Sequence, residues 1–299
     1  MTLISIDTTS PSSPRYRLLA PGFTLIEIAI VLVILTLLLV IVAPLAIGQA
    51  EIARRATTKA RMDNIDKALV LFAQRNQRLP CPADGSLDNT SNANGVENRD
   101  AAGLCIANQQ TGIVPFRSLG LGEEDAMDGR NLRFTFRIGA ELAKADALNM
   151  TFCDPVGTGG TPSIHNACVT SCTSTSAPGS CTSVNRFLTN YGLTVIDTPS
   201  GSTITDGAQT TGAAYVLISH GANQGGAYSS AGIVATGNPA SGTQEAFNHN
   251  NQPLRAPPLF YSEGSENNSE TPAHFDDVVR RPTVQSVIDA AGLGPRIRP

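Results

Sequence analysis

From Ile28 to Ile47 the chain runs for twenty residues without a charge, interrupted only by Thr36 and Pro44. At about 1.5 Å of rise per residue this makes roughly 30 Å of helix, the thickness of a bilayer's hydrocarbon core. A membrane-spanning helix is therefore expected over residues 28–47. A secretory signal peptide cut near Ala46-Ile47-Gly48 is one competing account, but its apolar region would be about 7–15 residues, shorter than this one. A plain signal anchor is the other. It leaves Glu27 unexplained, because a carboxylate heading an apolar helix is costly and normally has a partner.

Beyond Gly48 the pattern turns amphipathic. Ile52, Met62, Ile65, Leu69 and Phe72 recur close to one face at helical spacing, with Arg, Lys, Asp and Gln elsewhere. One long helix is expected over 23–78, amphipathic over 49–78 and stopped by Pro80. Charge divides along the same line. Residues 49–78 hold 7 basic and 3 acidic side chains, net +4, whereas residues 79–299 hold 12 and 20, net −8. A domain so acidic repels phosphate backbones, and no nucleic-acid partner is expected.

Residues 79–299 read as one globular domain with large loops. There is no Trp and aromatics make up 5% of the chain, so its core must be mostly aliphatic. The clearest strand is Asn131–Ile138. Leu132, Phe134, Phe136 and Ile138 fall on one side, and Asn131, Arg133, Thr135 and Arg137 on the other, a face expected to be solvated. Leu148–Cys153, Leu193–Ile196 and Ala213–Ser219 are further strands, the last apolar enough to be central. Thr283 caps a short helix that places Val284, Val287, Ile288 and Ala291 on one face and stops at Gly292. A long helix followed by mainly antiparallel strands makes the fold class α+β.

All six cysteines (Cys81, Cys105, Cys153, Cys168, Cys172 and Cys181) lie beyond the apolar run. An even number confined to one side of a membrane segment points to disulfides in an oxidising compartment, with free buried thiols as the alternative. Cys81 and Cys105 flank one polar loop and are expected to pair. The other four would then pair among themselves in the Gly/Ser/Thr-rich loop 153–183. The basic residues Arg54, Arg55, Lys59 and Arg61 outnumber Arg15 and Arg17 ahead of the run, which by charge alone places the C-terminal part in the cytoplasm. The cysteines argue for the opposite side, and that orientation is adopted.

No constellation for catalysis or metal binding stands out. Asp84, Ser86 and Asp88 alternate as in some calcium loops, but the Gly at the sixth position and the Glu at the twelfth are missing. His165-x-x-Cys168-x-x-x-Cys172 suits a disulfide better than zinc in an oxidising compartment. Ser219-His220-Gly221 puts a hydroxyl beside an imidazole in sequence, which is not nucleophile–base geometry. Neither an enzyme, a metal nor a cofactor is expected.

The hexapeptide Gly22-Phe23-Thr24-Leu25-Ile26-Glu27, directly followed by the apolar run, resembles the cleavage site of type IV prepilins and pseudopilins. The resemblance is specific over about residues 22–48. It implies a pilin-like fold and a leader, residues 1–22, removed after Gly22 by a prepilin peptidase/methyltransferase. Phe23 would be the methylated mature N-terminus, and Glu27 would pair with the terminal amine of a neighbouring subunit. Four residues apart, those two positions share a helix face. Pro44 falls where family members carry a helix-kinking proline. The resemblance also implies a single pass through the bacterial inner membrane, with 79–299 in the periplasm. The role implied is structural, in a type IV pilus or type II secretion filament built with other pilin or pseudopilin subunits. Moderate similarity to prepilin-like proteins extends to Leu79–Gly85, Val114–Leu121, Ile218–Asn223 and Phe275–Val279. Where pseudopilins carry an Asp-x-Trp-Gly turn, this chain has Asp125-Ala126-Met127-Asp128-Gly129, without the Trp, and a family-type calcium site is not implied. A large acidic domain favours a minor subunit; an adhesin or ligand-binding module on a pilin stem is the alternative.

Overall fold

A computed structural model of the chain describes residues 24–106, 112–150, 191–197, 201–206, 211–235, 245–249, 259–262 and 275–294; the side chains of 41–47, 245–246 and 259–262 lie outside that description. Gly22, Phe23, Cys153, Cys168, Cys172, Cys181 and the loop 153–183 fall outside the described residues.

Helix α1 spans Leu25–Asn76, 52 residues, with Pro44 inside it. It ends where Gln77 turns to a φ of 57°. The Gln77 amide closes the last turn on the Ala73 carbonyl at 2.7 Å, and the Gln77 carbonyl accepts the Leu148 amide at 2.8 Å. Residues up to Glu51 form one compact unit and those from Ile52 onward another. Among the described residues no helix is long and apolar enough to cross a membrane. The described side chains of the uncharged run cover 28–40, roughly 20 Å of rise; the expected span continues through 41–47.

In the second unit a four-stranded sheet runs β1 (Gly112–Ile113), β2 (Thr135–Ile138), β5 (Tyr215–Ser219), β7 (Val278–Arg280) in spatial order. Every neighbouring pair is antiparallel, with Phe136 opposite Leu217 and Ile218 opposite Val279. A three-stranded sheet holds β3 (Thr194–Asp197) between β4 (Thr203–Thr205), antiparallel, and β6 (Leu259–Ser262), parallel. Ala213 bridges both Leu193 and Thr283, linking the start of β3 to the entry of helix α2, Val284–Ala290. The class is α+β with mainly antiparallel pairing.

The core lies between α1 and one face of the four-stranded sheet. Met62, Ile65, Leu69 and Ala73 of α1 are each wholly buried. They join Phe134 and Phe136, Tyr215 and Leu217, and Val284, Val287 and Ile288 of α2 in one apolar cluster. Burying side chains of the size of Met62, Ile65 or Leu69 is worth about 1.5–3 kcal/mol each. The stripe advances by three and then four residues, so it ends on Ala73, not on the expected Phe72. Phe72 is half-buried, with the Arg78 guanidinium 5.0 Å from its ring centre. Ile52, also expected on this face, is 61% exposed. The other face of β5 carries Val216 and Ile218 into a second cluster with Leu193, Val195 and Ala213. Burial on both faces makes β5 the central strand its composition predicts.

That second covered face corrects the reading of Asn131–Ile138. Arg133, Thr135 and Arg137 are 1%, 0% and 3% exposed, not solvated. The regular strand is also shorter, because Asn131 adopts a φ of 63° and Arg133 makes isolated bridges to Met127 and Tyr228. Leu148–Met150 is buried but not a strand: the Leu148 amide goes to Gln77 and the Met150 amide to Leu293, so no ladder forms. At the C-terminus Thr283 accepts the Ser286 amide at 3.2 Å, capping α2 as expected, and Gly292 takes a φ of 67° just past its end.

Candidate functional site

The N-terminal end of α1 is built around Glu27. Thr24 precedes the first helical residue, and its side-chain oxygen accepts the Glu27 amide at 3.3 Å. In return Glu27 Oε2 accepts the Thr24 amide at 2.9 Å and the Thr24 hydroxyl at 3.0 Å. This is a reciprocal capping box, which satisfies two of the amides a helix start leaves open. Its sequence signal is the Thr-x-x-Glu of Thr24-Leu25-Ile26-Glu27, which gives Glu27 a role inside its own helix beside the intermolecular one that the resemblance implies. Both returned bonds fall on Oε2, so a cation can still approach Oε1.

The helix that this cap opens is apolar on every side. Thirteen large aliphatic side chains between Leu25 and Val40 are each at least 48% exposed. The one polar side chain among residues 28–40, Thr36, turns its hydroxyl back onto the Val33 carbonyl at 2.8 Å. A helix in water shows one apolar stripe; one apolar all round is built to be covered all round.

The amphipathic half of α1 is fastened to the domain by polar bonds at its edges. Arg61 donates to the carbonyls of Met127 (3.1 Å) and Asp128 (3.0 Å). Thr58 Oγ1 accepts the Gly129 amide at 2.9 Å. The Asp125–Gly129 turn is therefore a docking element for α1. A Cβ at Gly129 would stand 2.2 Å from the Arg54 carbonyl oxygen, which is why the turn ends in glycine. Asp128 accepts the amides of Arg130 and Leu132 through Oδ1 and the Ser219 hydroxyl through Oδ2, at 2.8–3.0 Å. On the other edge Tyr215 donates to Asp66 at 2.7 Å, and Arg280 pairs with Asp63. Burial pushes the Asp66 carboxyl up, and burial together with Asp66 pushes the Tyr215 phenol up.

Cys81 and Cys105 form the expected disulfide, with their Cα atoms 5.3 Å apart. Inside the loop they close, Glu97 accepts both terminal nitrogens of Arg78 (2.7 and 2.8 Å) and the Cys81 amide (3.1 Å). Burial alone would raise the Glu97 carboxyl; Arg78 and the Cys81 amide outweigh it and hold it below the usual range. Asp84 and Asp88 each accept a hydroxyl and an amide from residues just downstream, as turn-forming side chains do.

Two buried polar centres lie on the far face of β2, both missed from sequence. Arg133 binds Glu123 Oε1 through Nε (2.9 Å) and Nη2 (2.6 Å), and the carbonyls of Gly85, Leu87 and Ser230 at 2.7–3.1 Å. It ties three loops to the strand. The second centre is His220, whose Nε2 lies 2.7 Å from Thr135 Oγ1. Its neighbour Ser219 bonds Asp128 instead, so the adjacent Ser–His pair of the sequence is not a working pair. No alternation pattern distinguishes a solvated arginine from one whose donors are all used inside, so no local signal marked either centre. Among the described residues no group of three or more His, Cys, Asp or Glu side chains is placed to hold a metal ion. Comparison with protein-family models, curated proteins and solved structures finds no match to this chain.

Proposed function

We propose that this chain is a filament subunit of prepilin type, a minor pilin or pseudopilin of a type IV pilus or type II secretion filament. Residues 28–47 anchor it in the inner membrane, and the domain from residue 79 stands in the periplasm. A prepilin peptidase/methyltransferase cuts after Gly22 and methylates Phe23. The chain then joins other pilin or pseudopilin subunits through α1, in a structural role without catalysis or cofactor.

The observation that carries this reading is the aliphatic segment Leu25–Val40, exposed on every side and opened by a carboxylate. Lipid would cover it first and the helices of neighbouring subunits afterwards. Covering thirteen such side chains is worth more than about 10 kcal/mol relative to leaving them in water, so the segment stays covered in either setting. Exchange of lipid for helices is driven by packing and polar pairing. Glu27 serves twice: it caps its own helix through Oε2 and offers Oε1 to a neighbour's terminal amine.

The intact mass of membrane-extracted protein tests the processing. The expected product begins at N-methylated Phe23; one beginning at Gln49 or Glu51, or retaining the leader, refutes the reading. Glu27→Gln tests the assembly role, since it keeps the acceptor for Thr24 and removes the charge. It should lower incorporation into filaments, whereas Thr24→Ala, which keeps the charge and loses half of the capping box, should not.

A further inference from the structure

His220 sits at the end of β5 with 1% of its surface exposed, where four segments meet. Thr135 reaches its Nε2 from β2. The His249 ring stands edge-on to it, with centroids 6.1 Å apart. Asp277, just ahead of β7, places Oδ1 3.7 Å from Nδ1, beyond hydrogen-bonding distance. The 245–249 turn is held to the same place by further bonds. Asn248 donates to Asp277 Oδ2 at 2.7 Å, and Arg137 Nη2 donates to the His249 carbonyl at 3.0 Å. Asp276 braces the opposite side, accepting the amides of Ala222 and Asn223.

We propose that His220 is an acid-sensitive latch: while neutral it holds the 245–249 turn against the end of β5, and its protonation releases that turn. The proposal stands on this cluster and does not depend on the prepilin reading.

The charges facing the ring decide the direction. From β2 comes the Arg137 guanidinium, with Tyr228 beside it; from the turn, His249; from the segment before β7, Asp276 and Asp277; and behind Ser219, Asp128. Asp277 is the carboxylate placed to welcome a proton on the ring: Asn248 bonds its Oδ2, and its Oδ1 faces Nδ1 at 3.7 Å, too far for a hydrogen bond. Burial, then His249 and Arg137, hold the imidazole down to about 3. Nε2 and the Thr135 hydroxyl share one hydrogen bond in the closed form; what opposes a second ring proton is burial, with His249 and Arg137 facing the ring.

The sign follows from linkage. A histidine whose pKa is depressed only while the turn is closed favours closure fully above pH 6.5. It loses that preference steadily as the pH falls toward 3. If lifting the turn returns the ring to solvent, the opening equilibrium rises about 30-fold between pH 7.5 and pH 5.

Hydrogen exchange of the full chain in detergent micelles, corrected for the intrinsic pH dependence of exchange, reads this directly. In the wild type, protection at 245–249 should fall about 30-fold over that range while the β5 amides at 215–219 hold. His220→Gln keeps an acceptor for Thr135 and should flatten the profile. An unchanged profile in His220→Gln, or loss of protection at both segments in step, overturns the latch. Should that variant not fold, the His220 ring protons of the wild type decide. Titration near pH 6.5 with 245–249 still protected overturns the proposal, and a ring that stays neutral until the turn opens supports it.

Discussion

Replacing Arg133 with methionine keeps the length and apolar stem of the side chain and removes five hydrogen-bond donations. Its side chain is wholly buried and that of Glu123 is 22% exposed, so the ion pair they form is largely desolvated. Removing one partner of such a pair costs about 3–5 kcal/mol. Three carbonyls also lose their donor: those of Gly85 and Leu87, which share Nη1, and that of Ser230. Water can reach some of these loop groups, so about 1 kcal/mol beyond the pair is a fair addition. The expected total is about 5 kcal/mol, a large part of the roughly 5–15 kcal/mol by which domains are stable. Urea unfolding of residues 52–299, which contain the entire described core, measures it. With a slope near 2.5 kcal/mol/M, the midpoint should drop by about 2 M. Adding Glu123→Gln to Arg133→Met should cost little more, because the carboxylate has already lost its partner. A loss below about 1 kcal/mol, or full additivity of the two changes, would refute the view that Arg133 ties the loops together.

Three further outcomes follow from local geometry. Gly129→Ala brings a methyl against the Arg54 carbonyl, and forcing the turn off α1 should cost about 1–3 kcal/mol in the same unfolding assay. Replacing Cys81 and Cys105 together by serine opens a loop with a sequence separation of 24 and should cost about 3–4 kcal/mol; non-reducing peptide mapping verifies the bridge in the parent. Thr283→Ala removes the acceptor of the Ser286 amide and should lower stability by about 1 kcal/mol, with Thr283→Asp retaining most of it.

What could be read from the sequence was whatever is written in a local period. The stripe Met62, Ile65, Leu69 and the helix α2 with its Thr283 cap were visible because burial and capping repeat at fixed offsets. The central position of β5 was legible from an apolar run too continuous for a half-wet strand. Cys81–Cys105 was legible because the two residues bound one polar loop. The faces of β2 were not, since alternation names two sides and says nothing of what covers the second. There the cover comes from other segments of the chain, from the carbonyls of Gly85 and Leu87 at Arg133 to His220 and His249, 85 and 112 residues from their partners. Leu148–Met150 misled in the converse way: it is apolar and buried, yet its amides are met singly by α1's end and the C-terminal turn. The capping role of Glu27 is legible from Thr24 three residues before it, since a capping box is itself a fixed local offset.

The polar fastenings of α1 also set how the domain bears load. Thr58 and Arg61 grip the 127–129 turn, while Asp63 and Asp66 grip Arg280 and Tyr215. The four positions fall within nine residues, roughly 12 Å of helix. A pull along the helix axis reaches these bonds nearly together, in shear, and none can be peeled away ahead of the others. The stripe from Met62 to Ala73 lies just behind them and must slide through the core before the helix can leave. Tension on α1 is thus resisted by the domain as a whole. Pulled from its N-terminal end, the chain should hold as a single mechanical unit and then yield in one step.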